Sequence, residues 1–470
     1  MKKMFFSSVL AFFIVNCYAQ TIVGNWYGIL KVPGHSVRIV FHISKTGDAY
    51  NSTMDSPDQG AKGLPVDKTD FINNELTLNL GKFGIKYIGT FKADSNIIAG
   101  LFIQGNATIP LRMSVTEQTD VVKQPPRPQD PTDFPYKQEE VTFNNIKGGD
   151  QLAGTLTIPS SGKISKIVIL ITGSGPQNRN EELGPLNHRP FLVWSDWLTR
   201  NGIAVLRYDD RGVGKSTGDF QTATTADFAD DTEAAIDYIK SRKDLNGLAI
   251  GLIGHSEGGI IAPLVASRNK SVKFVVTLAG PGVPISELMM RQAADQLRLN
   301  GASDQAIKLT TGTNGKLYAA VIQYNSLPDA AFKLKLDSVL YADLKNYPED
   351  ALRGNKPEDL VNHIVEPLTG PWYRYFLNID PATYLAKVKC PVLAINGTLD
   401  MQVNCESNLE GIKKGLQMAG NKNHLEVALP GLNHLLQQAH TGGESEYGTI
   451  TETVDPIALQ KVAAWINQLH

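Results

Sequence analysis

Leu248-Ala-Ile-Gly-Leu-Ile-Gly254-His255-Ser256-Glu257-Gly258-Gly259-Ile-Ile-Ala-Pro-Leu-Val-Ala-Ser267 is the stretch that decides how this chain is read. Leu248 to Ile253 is a short apolar run with isoleucines, the pattern of a strand buried on both faces. Gly258 to Ser267 is a small, apolar helical run. Between them stands Gly254-x-Ser256-x-Gly258, the spacing of a nucleophile elbow. A serine in so sharp a turn leaves no room for side chains two residues to either side, which explains the glycines. The turn lifts the Ser256 hydroxyl clear of the sheet edge. It also aims the helix N-terminus, with its unpaired N–H groups, at any oxyanion formed there. The plainer alternative is a glycine-rich turn whose serine only caps the helix.

The 470 residues give room for two or three domains. A hydrophobic share of 42% and a charged share of 20% fit an ordinary globular protein. A net charge of −2 supplies no basic field for nucleic acid. Lys2-Lys3, the apolar run Met4 to Val15 and the small-residue site Cys17-Tyr18-Ala19 read as a secretory signal peptide over residues 1–19, too short for a stable membrane span. That implies export to the periplasm or the exterior. Val15-Asn16 makes a poor lipobox before Cys17, and no later apolar stretch is long enough to span a bilayer. Cys390 and Cys405 remain after cleavage, at opposite ends of an expected core strand. Such ends lie roughly 16–20 Å apart, against about 6 Å between the Cα atoms of a disulfide, so two free thiols are expected. No His, Cys and carboxylate set has ligand spacing, so neither metal nor cofactor is expected.

Residues 20–118 are β-rich. Short runs with partial alternation lie at 24–31, 36–44, 75–80, 84–91, 97–103 and 108–113, broken by Gly, Asn and Asp turns. They predict a small antiparallel barrel or sandwich, and the opening Gly24-x-Trp26 is similar to the first strand of lipocalin-like barrels. This unit is read as a ligand-binding module or as part of an active-site wall. His35 and His42 lack metal-ligand companions and read as ordinary histidines. Residues 119–135 form a linker; Gln124 to Pro135 holds five prolines in twelve residues, which predicts an extended, semi-rigid spacer.

From residue 136 to 470 the chain resembles the α/β-hydrolase superfamily, and the resemblance starts at the Ser256 elbow. It implies a mostly parallel sheet with helices on both faces, behind the small all-β domain. A predicted hairpin (139–145 and 152–158, with Gly148-Gly149 between) matches the antiparallel start of many such sheets. Lys166 to Thr172 is a buried strand running into Gly173-Ser174-Gly175. In the family, a loop here supplies the second backbone donor of an oxyanion hole, which assigns Ser174 or Gly175 to that role beside Glu257. Thr172 stands where the family commonly has His, so what supports this loop is left open. Asp209-Asp-Arg211-Gly-Val-Gly214-Lys215-Ser216 resembles the family's D-x-R-G-x-G-x-S loop, in which Asp209 or Asp210 and Arg211 would fix the loop beneath the elbow. It is neither a P-loop, which needs Gly at 209, nor a dinucleotide fingerprint, which needs Gly at 217. The helical runs over about 285–375 match a lid. Trp372, Tyr373, Tyr375 and Phe376 either line a substrate pocket or pack that lid onto the core.

Two more residues follow predicted strands: Asp400 after 388–396 and His434 after 425–429. Ser256, Asp400, His434 is the chain order stated for this superfamily, and all three sit where open α/β sheets gather their sites. His255 adjoins Ser256 but should point away across the turn. Asp380 follows no strand, and His424 starts one at the wrong end. The chemistry expected of the set is acyl transfer on a small-molecule ester or amide. A secreted carboxylesterase is the first reading. A serine aminopeptidase of the same fold is the second, with Glu257, Glu287 or lid acids as candidate anions for a substrate ammonium. A non-catalytic binding protein is the third.

Overall fold

The computed structural model describes residues 22–32, 35–59, 61–104, 107–117, 127–160, 162, 164–352 and 356–469. The expected signal peptide, the first part of the linker and the His35 side chain lie outside them. The chain divides into an N-terminal unit ending at Val121 and a C-terminal unit starting at Val122.

The N-terminal unit is one nine-stranded sheet. Its strands are β1 (Gly24–Val32), β2 (His35–Thr46), β3 (Ala49–Ser56), β4 (Ala61–Pro65), β5 (Lys68–Ile72), β6 (Glu75–Leu80), β7 (Ile85–Lys92), β8 (Ile97–Gln104) and β9 (Ala107–Ser114). Their order is β4-β3-β2-β1-β9-β8-β7-β6-β5. The sheet curls until Thr69 of β5 donates its hydroxyl to Ser52 of β3 at 3.0 Å. Inside it Trp26, Phe41, Tyr87 and Phe102 are fully buried. Their polar tips are satisfied: the Trp26 indole donates to the Ile22 carbonyl at 2.7 Å and the Tyr87 hydroxyl to the Leu111 carbonyl at 3.2 Å. His42 bonds Asn25 at 2.8 Å and Asp55 at 3.0 Å. Strands β3 to β5 escape the apolar pattern because the buried face of β3 is Ser52, Met54 and Ser56, two serines around one methionine.

The C-terminal unit is built on an eight-stranded sheet: β10 (Lys137–Asn145), β11 (Asp150–Ile158), β12 (Lys166–Ile171), β13 (Ala204–Tyr208), β14 (Ala249–His255), β15 (Val272–Leu278), β16 (Val392–Gly397) and β17 (His424–Leu429). The order is β10-β11-β13-β12-β14-β15-β16-β17, with β10 and β11 antiparallel and the rest parallel. The helices are α1 (Pro190–Arg200), α2 (Thr225–Ser241), α3 (Gly258–Arg268), α4 (Ile285–Leu299), α5 (Asp304–Tyr324), α6 (Asp329–Leu344), α7 (Pro357–Val365), α8 (Pro371–Phe376), α9 (Ala382–Leu385), α10 (Cys405–Met418) and α11 (Pro456–Gln468). Strand parity sorts them. Val168 and Leu170 of β12 face α1 and α11, whereas Ile167, Ile169 and Ile171 face α2, α3 and α10. Each face is therefore a separate apolar core. Helices α4 to α8 gather around a third, with Phe332, Leu336, Leu340 and Val321, and reach the sheet through Ile260 of α3.

One expectation needs correcting. The described part of the proline-rich stretch is not a spacer standing off from the fold. Arg127 is buried, and its guanidinium donates to the carbonyls of Leu186 (2.8 Å) and Ile450 (2.6 Å), while Gln129 donates to Val454 at 2.6 Å. Backbone carbonyls of the C-terminal unit hold it in place. Cys390, ahead of β16, and Cys405, at the start of α10, are both free thiols.

Candidate active site

The elbow is made by steric exclusion. Ser256, between β14 and α3, holds φ +51°, a left-handed conformation that costs a non-glycine residue about 1–3 kcal/mol. A Cβ on Gly254 would lie 1.9 Å from the Gly258 carbonyl oxygen, and one on Gly258 would lie 2.2 Å from that of Ile171. The backbone is pinned as well: the Ser256 N–H donates to the Leu278 carbonyl at 2.9 Å, tying the turn to β15. The serine is left half-buried in the wall of a cavity of about 420 Å³, a size that suits a small-molecule ligand.

His434 lines the same cavity. Its Nδ1 bonds Asp400 Oδ2 at 2.8 Å, with both residues buried. The other Asp400 oxygen accepts the N–H groups of Gln402 and Val403, each at 2.8 Å, so the carboxylate is fixed before it meets the imidazole. The His434 loop packs against Gly397, where a Cβ would lie 2.1 Å from the Leu432 carbonyl oxygen.

The loop after β12 is held by carboxylates. Thr172 donates its hydroxyl to Asp210 at 2.8 Å, and the Gln177 N–H donates to the other oxygen of that carboxyl at 2.9 Å. Burial pushes the Asp210 carboxyl well up, against the pull of these two bonds. Asp209 takes a bidentate pair from Arg179 at 3.0 and 2.8 Å. Arg211 pairs with Asp231 of α2 at 2.8 Å. The aspartates thus hold residues 172–179 as well as their own loop, where Asp209 accepts the Lys215 N–H at 3.0 Å, and the Thr172 hydroxyl is part of what supports the loop after β12. Gly173 sits against the nucleophile turn, where a Cβ would come 3.1 Å from Ser256 Cβ. Among the described residues, the N–H groups of Ser174, Gly175 and Glu257 donate to no protein acceptor. Ser174 and Glu257 line the cavity. Gly175 departs from its expected place: with φ +98° it faces a much smaller polar void beside Asp210.

Two residues contribute through bonds that the sequence does not show, His255 and Glu181. His255 borders the same cavity as Ser256. Its Nδ1 bonds Glu181 at 2.9 Å and its Nε2 bonds the His434 carbonyl at 3.0 Å. Glu181 also accepts the Gly173 N–H at 2.8 Å and holds φ +53°. Burial alone would depress the His255 pKa, but the Glu181 carboxylate outweighs it and the net shift is upward. The pair ties the loop after β12 to the His434 loop.

Of the four aromatic candidates, Trp372 and Phe376 line the cavity and Tyr373 and Tyr375 do not. Positions i and i+4 share a helix face, so these two reach the cavity together, while all four rings pack in the apolar cluster of α4 to α8. Glu257 borders the cavity, whereas Glu287 does not. Among the described residues no cluster of His, Cys, Asp and Glu is arranged to hold a metal ion, and no helix is long and apolar enough to cross a membrane.

The serine aminopeptidase S33 family model matches residues 192–325, which contain the elbow. Esterase EstD of Thermotoga maritima is 25% identical over 338 residues, covering 70% of this chain and 68% of its own length. The YfhR protein of Escherichia coli K12 is 31% identical over 125 residues, 27% of this chain and 40% of its own. Among solved structures, an esterase of Pyrococcus furiosus aligns over 73% of this chain and 96% of its own, with 18% identity and a TM-score of 0.42. By its sheet order and its elbow the chain has the α/β-hydrolase fold, and its likeness to the S33 model and to EstD is that of a serine hydrolase of the esterase-like kind.

Proposed function

We propose that the chain is an exported serine esterase with Ser256 as nucleophile, His434 as general base and Asp400 as the residue orienting it. One observation carries this reading. Ser256 stands on a strained turn in a cavity wall that also holds His434, whose Nδ1 is taken by a buried aspartate. With Nδ1 engaged, Nε2 is the nitrogen left to work. It accepts the Ser256 proton as Oγ attacks the ester carbonyl, then returns it to the departing alkoxide as the C–O bond breaks. Water repeats the sequence on the acyl-enzyme and releases the acid. The tetrahedral oxyanion is held by the N–H groups of Glu257 and Ser174, donors worth about 3–4 kcal/mol each in comparable sites.

The test is a turnover screen across short esters, long esters, acetylated sugars and aminoacyl amides, with the wild type and Ser256→Ala. Ester turnover that vanishes in Ser256→Ala is the expected result; ester turnover that survives the substitution overturns the assignment. The S33 match and the Glu257 carboxylate in the cavity wall favour one second reading, an aminopeptidase. It predicts that aminoacyl amides are cleaved faster than esters of the same acyl group. Export rests on the leader read over residues 1–19, and N-terminal sequencing of the mature protein from culture fractions checks it: a chain starting near Gln20 supports it, and an intact leader opposes it.

A further inference from the structure

The residue after the nucleophile brings more than a backbone donor. The Glu257 side chain is buried beside the cavity, where a carboxylate is costly unless its oxygens are bonded. Its bonds come from separate parts of the fold. Thr225, the first residue of α2, donates its hydroxyl to Oε1 at 2.6 Å. Trp372 of α8 donates its indole N–H to Oε1 at 3.0 Å and Oε2 at 3.2 Å. Among the described residues no Lys or Arg pairs with Glu257, and burial raises its pKa. Trp372 is itself fixed, stacked on Phe376 at 4.5 Å and edge-on to Tyr373 at 4.9 Å. A helix from the α4 to α8 layer and a helix under the sheet therefore meet on one carboxylate.

We propose that the Glu257 side chain is a positioning residue. By binding Trp372 and Thr225 it locks α8 and α2 against the elbow, and so holds the backbone donor of its own residue at the place an oxyanion needs. Donors of this kind stabilise a transition state only when they need not be rearranged to meet it. The Glu257 donor stands at a helix start, and the carboxylate of the same residue anchors that start to α2 and α8. The inference rests on Ser256 being the nucleophile.

The test is steady-state hydrolysis of 4-nitrophenyl acetate, whose acetyl group asks least of the pocket. Trp372→Phe keeps the stacked ring and removes the N–H. Glu257→Leu keeps the volume and removes every acceptor, whereas Glu257→Gln keeps one acceptor for the indole. We expect kcat to fall about tenfold in Trp372→Phe and about a hundredfold in Glu257→Leu, with KM within about twofold, less than or equal to the loss of one oxyanion donor outright. Glu257→Gln should recover most of the loss, and the Trp372→Phe, Glu257→Leu double variant should be no slower than Glu257→Leu alone. Unchanged kcat, a change in KM only, or additive losses in the double variant would overturn the proposal. If Glu257→Leu does not fold, Trp372→Phe with Glu257→Gln decides it by the same kcat criterion. A Ser256→Ala enzyme that still turns over ester removes the nucleophile assignment. An inactive Ser256→Ala beside fully active Trp372 and Glu257 variants removes this inference alone.

Discussion

The two units bury different chemistry. Within the nine-stranded sheet the buried residues are aliphatic and aromatic, with Ser52 and Ser56 the buried polar ones among those described. At the C-terminal ends of β12, β13, β14 and β16 the second unit buries Asp209, Asp210, His255, Glu257 and Asp400, with Glu181 alongside. Each burial costs several kcal/mol unless bonds repay it. A scaffold has no need of such a concentration; a site that moves protons does. The first unit shows what holding a shape requires, and the second what is added when the shape must react.

Substitutions separate the two kinds of burial. The largest effect falls on rate. On the proposed roles, Ser256→Ala or His434→Ala should lower kcat about 10⁶-fold and Asp400→Asn about 10⁴-fold. Each should leave the far-ultraviolet circular dichroism spectrum unchanged, since none of the three supports a sheet core. Stability comes next. Trp26→Ala, which empties a fully buried position in the first unit, should cost about 3–5 kcal/mol in denaturant titration. Arg211→Ala should cost a similar amount, about 3–5 kcal/mol, for a different reason: it strands Asp231, 2% exposed, without its cation. The difference appears on repair. Arg211→Met with Asp231→Leu should recover most of the loss, because the apolar pair removes the stranded charge; a Trp26 cavity has no such partner to remove.

The smallest effect is a slope. The folded protein holds the His255 proton more tightly than the unfolded chain does, so protonation there stabilises the fold. That contribution is complete below the ordinary histidine pKa of about 6.5 and is lost as pH rises through the raised folded value. Glu181→Gln abolishes it. The stability difference between wild type and Glu181→Gln should therefore be largest below about pH 6.5 and shrink above it. A difference independent of pH would mean that the pair contributes packing alone.

How much of this could be read from the sequence follows from the same contrast. Strands β12 to β16 are continuous apolar runs, and the elbow shows itself because sterics demand glycine at Gly254 and Gly258. Asp400 and His434 were located by following such strands to their ends. The residues that brace the site leave no such trace. Glu181 meets His255 across 74 positions and Thr172 meets Asp210 across 38, and neither partner belongs to a periodic pattern. Glycines misled the reading of helices. Helix α5 runs from Asp304 to Tyr324 through Gly312 and Gly315, two residues that read as breakers. Gly315 is a packing residue, since a Cβ there would come 3.3 Å from Met290 Sδ of α4. Helix α10 was unread for a related reason: Gly411 and Gly415 look like breakers but admit the backbone of Gly282 and the side chain of Leu385. The interior of the first unit was legible where it alternates and hidden where serines fill the inner face of β3.

The central claim is that Ser256 is the activated hydroxyl. Peptide mapping after fluorophosphonate treatment tests it most directly. The account predicts one adduct, on the peptide carrying Ser256, absent in Ser256→Ala and formed at least about 10³-fold more slowly in His434→Ala. An adduct on a different serine, or labelling of His434→Ala at the wild-type rate, would contradict it.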